Sequence, residues 1–316
     1  VNLFILAAGL GTRLRPLTYK YPKPCVPFLN VPMGLYQFRF LNDLTLSSCT
    51  ANSFHLPEQI VNLYSQYNTL ISAETGKISG SAGGLLKASK YFDMNEDTIL
   101  MMNADEIFFT ADQSFIKKAY QQHISNQNLA TLVVTKHPEA GQKFGAIWCD
   151  TQNKVQTIMS AKNKPEAALE PYHYIGIIFL NKKILKLIPD NKETNIFYDI
   201  LIHELKNQSV EIFNLDCSWY ETGNPQDYLA ATKQVLASLD PQTHNFINIY
   251  DKSRLIKNPT GLSLVSESLR FDESKLAGYN VISKTANLSL LNSSPLINNS
   301  VVFDSEILNT AYFAQG

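Results

Sequence analysis

Cysteine is scarce in this chain, with four in 316 residues. Cys25, Cys49, Cys149 and Cys217 lie far apart, with no CxxC pair and no histidine spacing suited to zinc. A disulfide scaffold and a zinc module are thereby excluded, and the four read as reduced core thiols. Long apolar runs are missing too, since none approaches the roughly 20 residues of a membrane span. The opening Val1–Gly9 is a short apolar strand with no basic lead, unlike a signal peptide. The expectation is a cytoplasmic protein with no membrane partner. Charge of one sign is also absent: 27 Lys and Arg against 28 Asp and Glu leave a formal net charge of −1. No global field draws such a chain to nucleic acid, so any anion it binds is met by a local site.

The length suits one large α/β domain with a smaller appendage. Up to about residue 232, short apolar runs alternate with amphipathic stretches, the pattern of a mostly parallel sheet covered by helices. Strands are predicted at Leu3–Ala8, Thr98–Met102, Ala130–Thr135 and Ile175–Leu180. Helices are predicted at Gln59–Gln66, Gln113–Ile124, Tyr198–Lys206 and Pro225–Leu239. This is a doubly wound α/β reading for residues 1–239. Beyond about residue 240 helix-forming runs give way to Asn, Ser and Thr among aliphatics, with a six-residue rhythm. Leu290, Leu296, Val302 and Leu308 keep that step, as do Leu291, Ile297 and Phe303, while Leu276, Ile282 and Leu288 carry an offset version. Residues 240–316 are therefore expected to be a linker and a short parallel β-helix, each hexad pointing an aliphatic inward.

The stretch LAAGLGTRLRPLT, Leu6 to Thr18, carries most of the chemistry. A buried strand ends at Ala8, and Gly9 and Gly11 let the backbone turn and approach an anion. Thr12 adds a hydroxyl donor, and Arg13 and Arg15 add charge suited to bidentate phosphate contacts. A dinucleotide fingerprint is excluded because Leu14 stands where its third glycine belongs, and a Walker A loop because Gly-Lys-Ser/Thr is absent. Downstream, YPKPCVP (Tyr21 to Pro27) uses Pro22 and Pro24 to stiffen the segment that aims Lys23. The pattern fits a polyphosphate cradle.

These two motifs resemble those of the sugar nucleotidyltransferases, the group that includes mannose-1-phosphate guanylyltransferase and N-acetylmuramate-1-phosphate uridylyltransferase. The likeness runs through most of residues 1–232. It implies a Rossmann-like doubly wound mixed sheet of the nucleotide-diphospho-sugar transferase type, with a short C-terminal left-handed β-helix. By that resemblance Leu6, Ala8, Gly9, Gly11, Thr12 and Arg13 hold the nucleotide, and Lys23 contacts phosphate at the reacting centre. GSAGGLLKAS (Gly80 to Ser89) resembles a family segment, so Gly80, Ser81 and Gly83 are expected to turn backbone groups to the nucleobase.

Asp105 in MMNADEIF closes an apolar strand at its carboxyl end, where open α/β sheets bind ligands, and its carboxylate suits Mg²⁺. The resemblance implies the same role. It also implies that Gly145 of FGAIWCD and Gly176 of YHYIGIIFL leave room for the sugar, and that Lys164 holds the sugar phosphate. Asn163 stands where the family usually has Glu. In WYETGNPQDYLAA, Glu221 occupies the position of the second metal carboxylate and Asn224 replaces the usual Thr. Trp219 and Tyr228 read as packing residues, and His55 as structural.

The implied reaction joins a nucleoside triphosphate to a sugar 1-phosphate and releases pyrophosphate, with Arg13, Lys23 and Asp105 as catalytic residues and Mg²⁺ as cofactor. The resemblance leans to guanylyl or uridylyl transfer to a hexose 1-phosphate. Two rivals stand beside it: a cytidylyltransferase acting on a phospho-alcohol, and a catalytically silent regulator that binds nucleotide sugar. The open edges of the C-terminal coil lead us to expect homo-oligomerisation.

Overall fold

The computed structural model describes residues 1–159, 165, 169–207, 209–294, 296–304 and 306–309. Packing divides the chain into two compact units: Val1–Leu10 with Gln37–Trp219, and Gly11–Tyr36 with Tyr220–Gly316. The glycine loop is shared out between them, changing unit after Leu10.

In the first unit β1 (Asn2–Leu6), β2 (Ser48–Ser53), β3 (Leu70–Ala73), β4 (Thr98–Asn103), β5 (Ala130–Thr135), β6 (Ala146–Cys149), β7 (Val155–Met159), β8 (Glu170–Asn181) and β9 (Val210–Asn214) form one sheet. Central β1 runs parallel to β2 and β4, β3 parallel to β2, and β9 parallel to β5. β8 runs antiparallel to both β4 and β5, and its first residues pair with β6, which pairs with β7. The sheet is mixed, with a parallel-rich centre.

Its helices are α1 (Pro57–Tyr64), α2 (Gly80–Ala88) and α3 (Phe115–Ser125). Ile178 of β8 joins Phe4, Met101 and Leu132 in a core with Ala82 and Leu85 of α2. Phe179, one residue on, meets the rings of Tyr120 and His123 of α3. Successive strand residues face opposite sides, so α2 and α3 cover opposite faces of the sheet. That double cover explains why β1 reads as the apolar run LFIL after Asn2, since each fully buried aliphatic contributes about 1.5–3 kcal/mol. The predicted strands form, with Leu3–Ala8 ending earlier as Asn2–Leu6 and Ile175–Leu180 extending to Glu170–Asn181. The predicted helix at Tyr198–Lys206 is instead a π-helical turn, Ile196–Leu201, followed by one α-turn, Ile202–Glu204.

The second unit contains α4 (Pro225–Ala237) and α5 (Pro241–Tyr250), then β10 (Ser253–Asn258), β11 (Gly261–Ser266), β12 (Leu276–Ala277), β13 (Asn280–Ile282), α6 (Leu288–Ser293), β14 (Ile297–Asn298), β15 (Val301–Phe303) and β16 (Glu306–Leu308). Helix α5 corrects the expectation that helical sequence ends near residue 240. Asp240 caps it, accepting from Thr243 N at 2.9 Å, and Pro241 starts it. β11, β13 and β15 pair in parallel, as do β12 and β14, the parallel pairing expected of this region. Its hexads are less regular than predicted. Leu291, Ile297 and Phe303 are buried as expected, but Leu296 is 56% exposed and Leu288 42% exposed. Helix α6 occupies the place of a strand, and this rotates the series around it. At the two ends β10 and β16 pair antiparallel with β11 and β15. Among the described residues no helix is long and apolar enough to cross a membrane.

Candidate active site

The first unit builds a buried polar bridge around the start of the glycine loop. Asn52, at the end of β2, accepts through Oδ1 from Ala7 N at 2.6 Å and Ala8 N at 3.1 Å. Its amide donates to Glu74 Oε1 at 2.7 Å, and Glu74 Oε2 accepts from Ser79 N at 2.7 Å, just before α2. All of these atoms are buried, where an unmet polar group would cost about 1–3 kcal/mol. Asn52 and Glu74 were not legible as site residues, because their partners lie far off in sequence. In the GSAGG segment Gly80 takes φ +75°. The N–H groups of Ala82 and Gly83 bond Thr194 O at 2.9 and 3.4 Å, and Ser81 Oγ accepts from Ile196 N at 2.9 Å. Several of the polar groups expected to meet a base thus bond the Thr194–Ile196 segment.

At the end of β4, Asn103 and Glu106 stand close to Gly176. This glycine takes φ +82° at the register break of β8. A Cβ there would overlap Glu106 Cγ and lie 3.1 Å from Asn103 Cβ, so only glycine lets the strand pass beneath the turn. Glu106 accepts from Trp219 Nε1 at 2.8 Å and from Asn103 Nδ2 at 3.2 Å. Trp219 is therefore a hydrogen-bond donor as well as a packing ring. His173 lies with its ring centre 4.1 Å from that of Trp219, beside Phe144 and His137. It is 9% exposed, and neither of its ring nitrogens has a partner, nor has Tyr174 Oη. Burial, with His137 adding to it, pushes the His173 pKa down to about 4. Burial and the nearby Glu106 hold Tyr174 well above the usual phenol range. Both residues line a cavity of about 180 Å³ with Gly145, Met159 and Phe197. Asn163 and Lys164 lie outside the described residues.

The second unit carries the rest of the loop. Gly11 takes φ +60°, and its carbonyl accepts from Leu14 N at 2.9 Å and Thr18 Oγ1 at 2.8 Å. At Gly9, in the first unit, the backbone is ordinary and an added Cβ would meet nothing within 4 Å. Leu14, Leu17 and Thr18 are buried, which leaves Thr12, Arg13 and Arg15 exposed on the other side of the turn. Lys23 opens a short helical turn, Lys23–Cys25, directly after Pro22. Glu221 Oε1 accepts from Gly223 N at 2.5 Å. A Cβ on Gly223 would overlap that oxygen and lie 2.7 Å from Arg13 Nη2, so Arg13 and Glu221 flank the same glycine. Asn224 caps α4, accepting from Asp227 N at 3.0 Å and donating to Asp227 Oδ2 at 2.5 Å. Asn in place of Thr thus keeps a capping role. Tyr228 is fully buried and donates to Pro27 O at 2.6 Å.

None of the four cysteines is in a disulfide. Burial pushes Cys25 and Cys149 up to about 12 and Cys217 up to about 11, so they are poor nucleophiles. For a hard divalent cation the candidates are the half-buried carboxylates of Asp105 in the first unit and Glu221 in the second. Among the described residues no group of three or more His, Cys, Asp or Glu is arranged for a metal. These oxygen donors fit Mg²⁺, which draws much of its shell from substrate phosphates and water.

A glycine loop after the first strand, carboxylates after the end of β4 and a bulged glycine strand on a mixed sheet mark out a class of α/β protein. The nucleotidyl transferase family model matches residues 3–238, and the chain belongs to that family. It is 32% identical over 243 residues to a mannose-1-phosphate guanyltransferase 2 of Candida glabrata, covering 74% of this chain and 64% of that protein. It is 27% identical over 253 residues to a UTP–glucose-1-phosphate uridylyltransferase of Synechocystis, covering 75% and 64%. The chain thus spans just under two thirds of these relatives' length. Among solved structures, a UDP-glucose pyrophosphorylase complexed with UDP-glucose aligns with TM-score 0.59 at 16% identity, over 74% of this chain and 97% of that one. The inositol-1-phosphate CTP transferase of T. maritima aligns with TM-score 0.58 at 16% identity, over 78% and 94%. At such identities these two likenesses concern the fold.

Proposed function

We propose that the chain transfers a nucleotidyl group from a nucleoside triphosphate, GTP or UTP, to a hexose 1-phosphate, releasing pyrophosphate. The observation that carries this reading is the exposed cationic face of the Gly11–Lys23 turn, whose apolar side is buried while Thr12, Arg13 and Arg15 face outward. The reaction needs no base, because a sugar 1-phosphate is already an anionic nucleophile. Its difficulty is charge and alignment at the α-phosphate. Arg13 and Thr12 hold the pyrophosphate, Lys23 neutralises the α-phosphate and Lys164 the sugar phosphate. Asp105 and Glu221, each on its own unit, are proposed as ligands for Mg²⁺, which would supply further neutralisation of the phosphates when bound.

On the sugar side, His173 and Tyr174 support the reading. Their buried, unpartnered polar atoms beside Gly145 suit a ligand rich in hydroxyls, since a buried polar group gains most when a hydrogen bond is supplied to it. In this proposal residues 1–239 are the catalytic domain, and the C-terminal coil is a left-handed β-helix that comes round after about three hexads. The coil self-associates through edges such as β10, which carries the exposed Leu255. Thiols that form no disulfide suit a reducing, cytoplasmic setting.

The test is pyrophosphate release with Mg²⁺ across a panel of triphosphates and sugar 1-phosphates. Turnover is expected with GTP or UTP and a hexose 1-phosphate, and Lys23→Ala is expected to lower kcat about 10²–10³-fold. Silence across the panel would favour a regulator, and turnover only with CTP and a phospho-alcohol would favour the cytidylyltransferase.

A further inference from the structure

The segment that aims Lys23 is tethered to the C-terminal strands on both of its flanks. On one side Tyr21 Oη donates to Asp304 Oδ2 at 2.8 Å, and the Tyr21 ring packs edge-on against Phe303 with centroids 5.3 Å apart. Lys20 pairs with Glu306 beside it. On the other side the buried Asn30 Nδ2 donates to Ile282 O at 3.3 Å, at the end of β13. Asp304 lies in the turn between β15 and β16, where it takes φ +49°.

We propose that the β15–β16 hairpin is a positioning element for Lys23, with the Tyr21–Asp304 hydrogen bond as its latch. The inference rests on the catalytic role given to Lys23 above. Only Pro22 separates Tyr21 from Lys23, and its ring holds φ at −62°. With so few soft torsions between them, a displacement of Tyr21 is passed to the Lys23 backbone rather than absorbed. Phosphoryl transfer depends on placement, and a shift of about 1 Å can cost roughly 10²-fold in rate. The Lys20–Glu306 pair adds less, because the lysine is 60% exposed and such pairs contribute little. Tyr21 is half-buried and its contact is both polar and aromatic, so it carries the coupling.

The test uses the full chain and compares Tyr21→Phe, Asp304→Ala, Asp304→Asn and the double variant Tyr21→Phe/Asp304→Ala in the pyrophosphate-release assay. Tyr21→Phe and Asp304→Ala are each expected to lower kcat about tenfold while KM for the triphosphate moves less than about twofold. The double variant should be no slower than either single one, because both remove the same bond. Asp304→Asn, which retains an acceptor oxygen, should restore most of the rate. Should Asp304→Ala fail to fold, Tyr21→Phe removes a single oxygen and carries the test alone. Folded Tyr21→Phe with wild-type kcat, or a lowered melting temperature with turnover unchanged, overturns the latch while Lys23→Ala remains inactive. Full turnover in Lys23→Ala would instead overturn the role of Lys23 itself.

Discussion

The first unit keeps its polar site groups in the core, whereas the second carries its cations at the surface. Asn52 and Glu74 are 1% and 6% exposed and bonded at several atoms. Arg13 and Arg15 stand exposed on a turn whose other side is apolar. In the first unit, therefore, loss of a site group is felt as loss of folding free energy, because a buried partner is left unmet. In the second, loss of Arg13 or Arg15 is expected to leave the fold nearly untouched and, in the proposed function, to be felt in ligand handling.

The sharpest way to break that contrast is Asn52→Ala. It strands the Ala7 and Ala8 N–H groups and one oxygen of the buried Glu74, and should cost about 3 kcal/mol in urea unfolding. Arg13→Ala should cost less than about 0.5 kcal/mol in the same experiment. Comparable losses for the two would erase the distinction.

A similar effect is expected from pH, again confined to the first unit. His123 and His173 are buried, 2% and 9% exposed, and burial lowers both to about 4. The unfolded chain takes up protons near pH 6.5, whereas the folded chain resists them until about pH 4. Stability is therefore fully present above about pH 6.5 and falls as the pH drops toward 4, by on the order of 3 kcal/mol for each histidine. Denaturant melts from pH 7 to 4 follow this directly, and His173→Phe should flatten the slope. A slope unchanged by that substitution would mean His173 titrates normally.

A smaller effect belongs to the second unit. Asn224→Ala should cost about 1 kcal/mol and Asn224→Thr almost nothing, because the residue caps α4. Thermal melts separate the two, and equal losses would argue that Asn224 does more than cap.

The same contrast decided what could be read from residues alone. Ala130–Thr135 was legible to the residue, because a buried β-branched run has one structural meaning. The strand Ser48–Ser53, reading SCTANS, was not legible, because its place comes from parallel partners on both sides rather than from apolar content. Helix α5 was hidden by its Asn-rich surface, although Asp-Pro at its start is a capping signal. Parallel pairing was legible in the hexads, but α6 breaks their phase, which puts Leu296 outward and Ile297 inward. At the site, the glycine loop and Lys23 stood out because backbone turns and cations cluster in sequence. Asn52, Glu74, Glu106 and His173 did not, since their roles arise from partners that only folding brings near.

The most direct test of the account is calorimetric titration of the full chain with GTP and UTP in the presence of Mg²⁺. Saturable binding is expected for at least one of them, weakened about tenfold or more by Arg13→Ala while the fold is kept. Absence of binding to either nucleotide in folded protein would contradict the reading of the Leu6–Lys23 segment as a triphosphate cradle.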